Sequence, residues 1–210
     1  ILTLDSLNTT CLMNIKLIGP CVEAAIIDYW CSMGVDGFRL DAINWLGKDV
    51  RWPDNPVRFG WRAYTRQVHR YDRDQPLAHE VMRELRTLIA GFPDVVLVGE
   101  ASADTPGGPA AFYGNGSDEL HTVFDFRLLK SPWRADRFRE VIADADRAVP
   151  SGGWPSIVFS NHDQSRHIAR YGGGGDAERR ARAAAVLAAL ACTLAASMPQ
   201  STSRSPTKHS

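Results

Sequence analysis

Gly37-Phe38-Arg39-Leu40-Asp41, Val95-Val96-Leu97-Val98-Gly99-Glu100 and Ser156-Ile157-Val158-Phe159-Ser160-Asn161-His162-Asp163 are three short runs of strand-like sequence, and each ends on a carboxylate. A barrel of parallel strands that keeps its chemistry at the C-terminal strand ends has this layout. Asp41, Glu100 and Asp163 are each roughly sixty residues apart, room enough for a loop and a crossover helix between strands. Three remote carboxylates can therefore be brought to one face.

The segments between these strands read as helices. Val22, Ala25, Ile26, Tyr29, Trp30 and Met33 recur at helical spacing, and Gly34 supplies a stop. Asp74 is a candidate N-cap, with Pro76 tolerated in the first turn because its missing N–H would have no partner there. Leu77, Val81, Leu85, Leu88 and Ile89 then line one face, and Gly91 with Pro93 ends the helix before Val95. Thr122 to Leu128 is β-rich, Ser131-Pro132 can open a helix carrying Phe138, Val141, Ile142 and Ala145, and an Ala-rich helix spans about 177–196. Strand and helix alternate throughout, which predicts an α/β fold with about four strands. Trp52-Pro53-Asp54-Asn55-Pro56 marks a long loop on the side where Asp41 emerges, able to wall a cleft.

Composition excludes several classes. The chain has 210 residues, 44% apolar and 23% charged, with 24 Lys plus Arg against 24 Asp plus Glu. That suits one globular domain, and a balanced charge gives no pointer to nucleic acid or an anionic membrane. The stretch around 183–196 is shorter than a membrane span and mostly alanine, and no signal peptide is legible at the start. Cys11, Cys21, Cys31 and Cys192 form no C-x-x-C pair and read as free thiols in a reducing, cytoplasmic setting. The opening Ile1 and the Ser/Thr/Pro-rich 197–210 segment suggest a fragment with a disordered or out-of-frame tail.

The strand ends carry the chemistry. Residues two apart on a strand share a face, so Gly37, Arg39 and Asp41 point one way and Phe38 and Leu40 the other. A guanidinium beside Asp41 favours an ionised, oriented carboxylate, suited to a nucleophile or to a strand-end ion pair. Glu100 leaves a very apolar strand, where desolvation favours the protonated form of a general acid. Asn161, His162 and Asp163 can hydrogen-bond sugar hydroxyls and stabilise positive charge, or simply hold a turn. These residues lack zinc-ligand spacing, so no metal and no cofactor is expected. His69, His79, His121 and His167 read as surface or structural residues, the Gly172 to Gly175 run as a connection without P-loop character, and Asp125 in Phe124-Asp125-Phe126 as structural or peripheral.

Together these motifs resemble the alpha-amylase family of glycoside hydrolases, and within it the alpha-glucosidase and oligo-1,6-glucosidase group, from about residue 22 to 194. The resemblance implies a (β/α)8 barrel, of which this chain would be an incomplete C-terminal part spanning 21–196, with 1–20 unassigned and 197–210 a tail. In the family, the segment like 37–42 carries the nucleophile, which makes Asp41 that residue and Arg39 its substrate-side partner. Val98-Gly99-Glu100 is similar to the acid/base segment. Asn161-His162-Asp163 is similar to the segment of the transition-state stabiliser, Asp163, with His162 contacting the sugar.

The subgroup rests on Ile43-Asn44, Lys48-Asp49, the run from Tyr71 to Pro76, His79-Glu80 and Phe124-Asp125-Phe126, which resemble exo-acting glucosidases. A small residue after the nucleophile goes with alpha-1,4 cleavage in this group, and Ala42 is small. The implied substrate is an alpha-linked, maltose-like gluco-oligosaccharide, with a transglycosylase, a trehalose-forming isomerase or a non-catalytic glucosidase-like domain as the alternatives. An earlier Asp-x-x-x-Asn-His segment of the family has no counterpart here, and 1–20 resembles nothing in it. The 210 residues alone are accordingly expected to be inactive.

Overall fold

A computed structural model describes residues 2–3, 20–102, 107–116, 118–151, 153–172 and 177–196. They divide into two units, Ile1–Val158 and Phe159–Ser210. The first is built on a five-stranded sheet in the order β1 (Leu2–Thr3), β2 (Gly37–Leu40), β3 (Val96–Glu100), β4 (Thr122–Asp125) and β5 (Ser156–Ile157). Every neighbouring pair is parallel, and spatial order follows chain order. Sequential parallel strands with crossovers are the unit of a (β/α)8 barrel, here incomplete.

The helices follow the expected alternation: α1 (Pro20–Ser32), α2 (Pro76–Ile89), α3 (Arg127–Lys130) and α4 (Ala135–Ala148). Phe38, Leu40 and Leu97, from the helix-facing side of β2 and β3, share one core with Ile27 of α1 and with Met82, Leu85 and Ile89 of α2. Burying such side chains contributes about 1.5–3 kcal/mol each. Gly37 is dictated by strand contact, since a Cβ there would lie 2.4 Å from the Val96 carbonyl oxygen.

Several expectations are corrected in detail. On α1 the buried residue is Ile27, while Tyr29, Trp30 and Met33 are exposed, so the inward stripe runs through Ile27 and Cys31; the side chain of Val22 lies outside the described residues. On α2 the stripe centres on Ala78, Met82, Leu85 and Ile89, with Val81 and Leu88 flanking it. The N-cap of α2 is Gln75, without a side-chain cap; Asp74 instead has φ 54° and accepts a hydrogen bond from Arg73 Nε. Thr122 to Leu128 is not one strand: β4 stops at Asp125 and the backbone turns into α3. β5 is only two residues long, so Asp163 stands beyond it in a turn. Leu2–Thr3 adds a strand to the expected four.

The second unit holds α5 (His167–Gly172) and α6 (Ala177–Ala196), the Ala-rich helix ending where expected. Of the glycine run, Gly172 closes α5 and 173–175 lie outside the described residues, as do Cys11 and 197–210. No helix among the described residues is long and apolar enough to cross a membrane.

All four of these histidines, expected at the surface or in structural roles, make side-chain contacts. His69 Nδ1 meets Asp72 and its ring stacks on Tyr64, while His167 Nδ1 meets Ser160 Oγ at 2.8 Å. His79 Nδ1 lies 2.9 Å from Glu119 and its ring stacks on Phe112. Glu119, almost wholly buried, also accepts from Arg83 Nη1 at 2.8 Å and ties α2 to the approach to β4. His121 Nδ1 accepts from the Leu97 N–H at 3.0 Å, which requires its unprotonated form.

Burial, aided by the Arg86 charge, pushes the His121 imidazole down to about 4. A histidine depressed below its unfolded value of about 6.5 stabilises the fold above that pH and loses this as pH falls toward 4. The melting temperature of the chain should therefore drop between pH 7 and pH 5. In His121→Gln, which keeps an acceptor for Leu97 but cannot titrate, that slope should flatten; an unchanged slope would show that His121 is not its source.

Candidate active site

The β2–β3 register pairs Arg39 with Val98 and Leu40 with Gly99. One step further, Asp41 stands level with Glu100 at the C-terminal end of both strands. Because Phe38, Leu40 and Leu97 face the helices, the alternation of side chains puts Arg39, Asp41, Val98 and Glu100 on the opposite face. On that face Arg39 Nη2 lies 3.0 Å from Asp41 Oδ1 and also donates to Glu100 Oε2. The guanidinium is largely buried, while 45% of the Asp41 side chain and 20% of that of Glu100 are exposed. The two carboxylates thus share one cation and keep an open side.

Local backbone shape turns the chain sharply after Asp41. Ala42 has φ 46° and ψ 40°, a left-handed conformation uncommon for a residue with a Cβ. It opens the 3-10 turn Ile43–Trp45, whose Ile43 and Asn44 are buried. The loop that follows carries Trp52, Phe59 and Trp61 as highly exposed aromatic side chains, with Phe59 and Trp61 edge to face. It leaves from the Asp41 end of β2, as expected for a wall on the open side.

The Arg39 contact changes the picture of Glu100 drawn from its strand. An apolar strand suggested a desolvated neutral acid, whereas the folded chain supplies a counter-charge at the carboxyl. Asp125, at the end of the next strand, has both oxygens taken by Arg127, at 2.9 Å from Nε and 2.6 Å from Nη2. It is a closed ion pair, in keeping with a structural role.

His162 and Asp163 belong to the second unit. His162 Nε2 lies 3.4 Å from Asp163 Oδ1, Asn161 Nδ2 donates to Asp163 Oδ2 at 3.3 Å, and the His162 and Asp163 side chains are both exposed. The contacts are those of a turn whose His162 and Asp163 side chains remain open to solvent. Among the described residues no group of three or more His, Cys, Asp or Glu is arranged to hold a metal ion.

Residues 18–198 match the family model described as alpha amylase, catalytic domain. A Rhizobium meliloti protein named probable alpha-glucosidase is 34% identical over 177 residues, covering 77% of this chain and 32% of that protein. The trehalose-6-phosphate hydrolase of Bacillus subtilis is 30% identical over 175 residues, covering 78% and 29%. Among solved structures, an alpha-glucosyl transfer enzyme superposes with a TM-score of 0.65 at 31% identity, covering 74% of this chain and 30% of that one. The chain spans about a third of the length of these relatives.

Removing Arg39 would leave two neighbouring carboxylates without their shared cation. In Arg39→Met, carboxyl NMR titration should show Asp41 and Glu100 titrating as a coupled pair, one midpoint raised by about a unit or more. Two unmoved midpoints would contradict the shared-cation geometry. With the parallel sheet, the strand-end carboxylates and the match over 18–198 in agreement, this chain belongs to the alpha-amylase family, as part of its catalytic domain.

Proposed function

We propose that residues 21–196 are the part of a retaining, cytoplasmic alpha-glucosidase that carries its catalytic carboxylates. The reading rests on one observation above all: Asp41 and Glu100 stand side by side at the ends of adjacent parallel strands, joined by Arg39. A retaining glycosidase needs two carboxyl groups about 5–5.5 Å apart. Asp41, half-buried and held by the guanidinium, is the nucleophile that attacks the anomeric carbon while the bond to the leaving oxygen breaks. Glu100 gives that oxygen a proton, then takes one from the water that cleaves the glycosyl ester at Asp41. For Glu100 to carry that proton, Arg39 would have to pair with Asp41 alone once substrate enters.

Asp163 stabilises the oxocarbenium-like transition state and His162 contacts the sugar, in line with the likeness of 161–163 to the family segment and with their open side chains. The substrate is an alpha-linked, maltose-like gluco-oligosaccharide, bound without a metal or cofactor. Ala42, small and turned away sharply after Asp41, leaves room for an alpha-1,4 linkage. A second reading, glucosyl transfer on the same machinery, draws support from the likeness to an alpha-glucosyl transfer enzyme. Maltose separates the two, since hydrolysis yields only glucose and transfer yields longer or isomeric sugars.

The 210 residues alone should be inactive, because sugar positioning by the other barrel strands supplies several kcal/mol of the barrier. Joining them to the remaining barrel of the Rhizobium meliloti relative should restore hydrolysis of a nitrophenyl alpha-glucoside. Asp41→Asn should abolish it, and a slow fluorinated glucoside should label Asp41. A cooperatively melting chimera with no turnover, or labelling at Asp125, would overturn the assignment. In the same chimera maltose should be cleaved faster than isomaltose; the reverse order would remove Ala42 as the determinant.

A further inference from the structure

The residues that follow Asp41 touch the chain on both sides of Glu100, at Gly99 and at Ser102. On the near side, Ile43 is fully buried and packs over Gly99: a Cβ built on that glycine would lie 2.8 Å from Ile43 Cδ1 and 2.3 Å from Leu120 Cδ1. The residue directly before Glu100 must therefore be bare for the 43–45 turn to sit where it does. On the far side, Asn44 Oδ1 accepts the Ser102 N–H at 3.4 Å, two residues beyond Glu100. Asn44 is only 1% exposed, and its backbone carbonyl accepts the Asp74 N–H at 2.7 Å at the entry to α2. One side chain thus links the turn after Asp41 to the turn after Glu100, and its own backbone is fixed by a third segment.

A second feature fits a role carried by the acceptor alone. Its Nδ2 is buried without a hydrogen-bond partner among the described residues, at a cost of about 1–3 kcal/mol for an unmet donor. An amide serving only to fill space would be replaced by an apolar group at no loss. The Oδ1 contact to Ser102 is what this amide provides and a leucine could not.

We propose that Asn44 is a positioning residue that, with Ile43 as its packing partner, sets the Glu100 carboxyl beside Asp41 and Arg39. The proposal rests on the reading of Asp41 and Glu100 as the working pair, but its test needs no turnover. The β2–β3 ladder and Arg39 put the two carboxylates at one level, yet a strand end is free to splay. Asn44 holds the chain just beyond the Glu100 strand end by the Ser102 amide and so couples the left-handed turn at Ala42 to the neighbouring strand. Side-chain loss at Asn44 should loosen 100–102 while leaving the ladder intact.

Carboxyl and amide NMR on the whole 210-residue chain decides the matter. In Asn44→Ala, Ser102 amide exchange should accelerate about tenfold or more, the size expected when a local opening replaces a held amide. The Glu100 titration midpoint should move by about half a pH unit or more as its geometry with Arg39 relaxes, and that of Asp125, locked by Arg127, should stay. Asn44→Asp keeps an oxygen acceptor, so it should retain Ser102 protection; it also decides the case if the alanine variant fails to fold. Unchanged Ser102 exchange and Glu100 titration in Asn44→Ala, or loss of Ser102 protection in a folded Asn44→Asp, would overturn the proposal. Neither result bears on whether the chimera above hydrolyses a glucoside, so the two readings fail separately.

Discussion

The Arg39 guanidinium, placed between the carboxylates of Asp41 and Glu100, is the contact on which the rest of the site depends. Two carboxylates at adjacent strand ends repel one another, and without a cation one would be driven to its neutral form or away from the other. Arg39 is two residues before Asp41, so the strand repeat alone puts them on one face. Parallel register then carries Glu100 to the same level. The site is thus a consequence of backbone geometry at β2 and β3, with one side chain supplying the charge that makes it tolerable.

What holds those strand ends in place lies on the other face. Phe38, Leu40 and Leu97 are anchored among Met82, Leu85 and Ile89, so β2 and β3 cannot shift relative to α2 without opening the core. Two bare positions make the fit possible: Gly37, pressed against the Val96 backbone, and Gly99, roofed by Ile43 and Leu120. The buried Glu119, met by His79 and Arg83, fixes the approach to β4 to α2. Breaking such a group by removing one partner is more costly than never having built it, which makes Glu119 a candidate for fold specificity more than for net stability.

Much of this was legible in the sequence because it follows from periodicity. The alternation in 37–41 and the apolar run 95–98 gave both strands and the shared face of Arg39 and Asp41, and the Pro76 to Ile89 helix appeared with its bounds nearly right. Its inward stripe was misplaced by about one residue, because Leu77 and Ala78 differ in hydrophobicity in the opposite sense to their burial. On α1, Tyr29 and Trp30 are apolar in composition yet exposed, and nothing local distinguishes them from Ile27. The Asp74 cap failed for a reason only the fold reveals: Arg73 takes its carboxylate. The Arg39 contact to Glu100 and the reach of Asn44 to Ser102 depend on pairing segments some sixty residues apart, which no local pattern encodes. Asn44 could have been flagged as a polar residue in an otherwise apolar turn directly after a strand-end carboxylate.

The central claim is that Asp41 and Glu100 act as a nucleophile and acid/base pair, with Asp163 brought to the same sugar. A crystal structure of the completed barrel, trapped as the fluoroglucosyl ester, tests it most directly. The account predicts the sugar bonded to Asp41, the Glu100 carboxyl about 5–5.5 Å from that of Asp41, and Asp163 within hydrogen-bond reach of the same ring. A sugar bonded to another carboxylate, or Glu100 and Asp163 directed away from the ring, would contradict it.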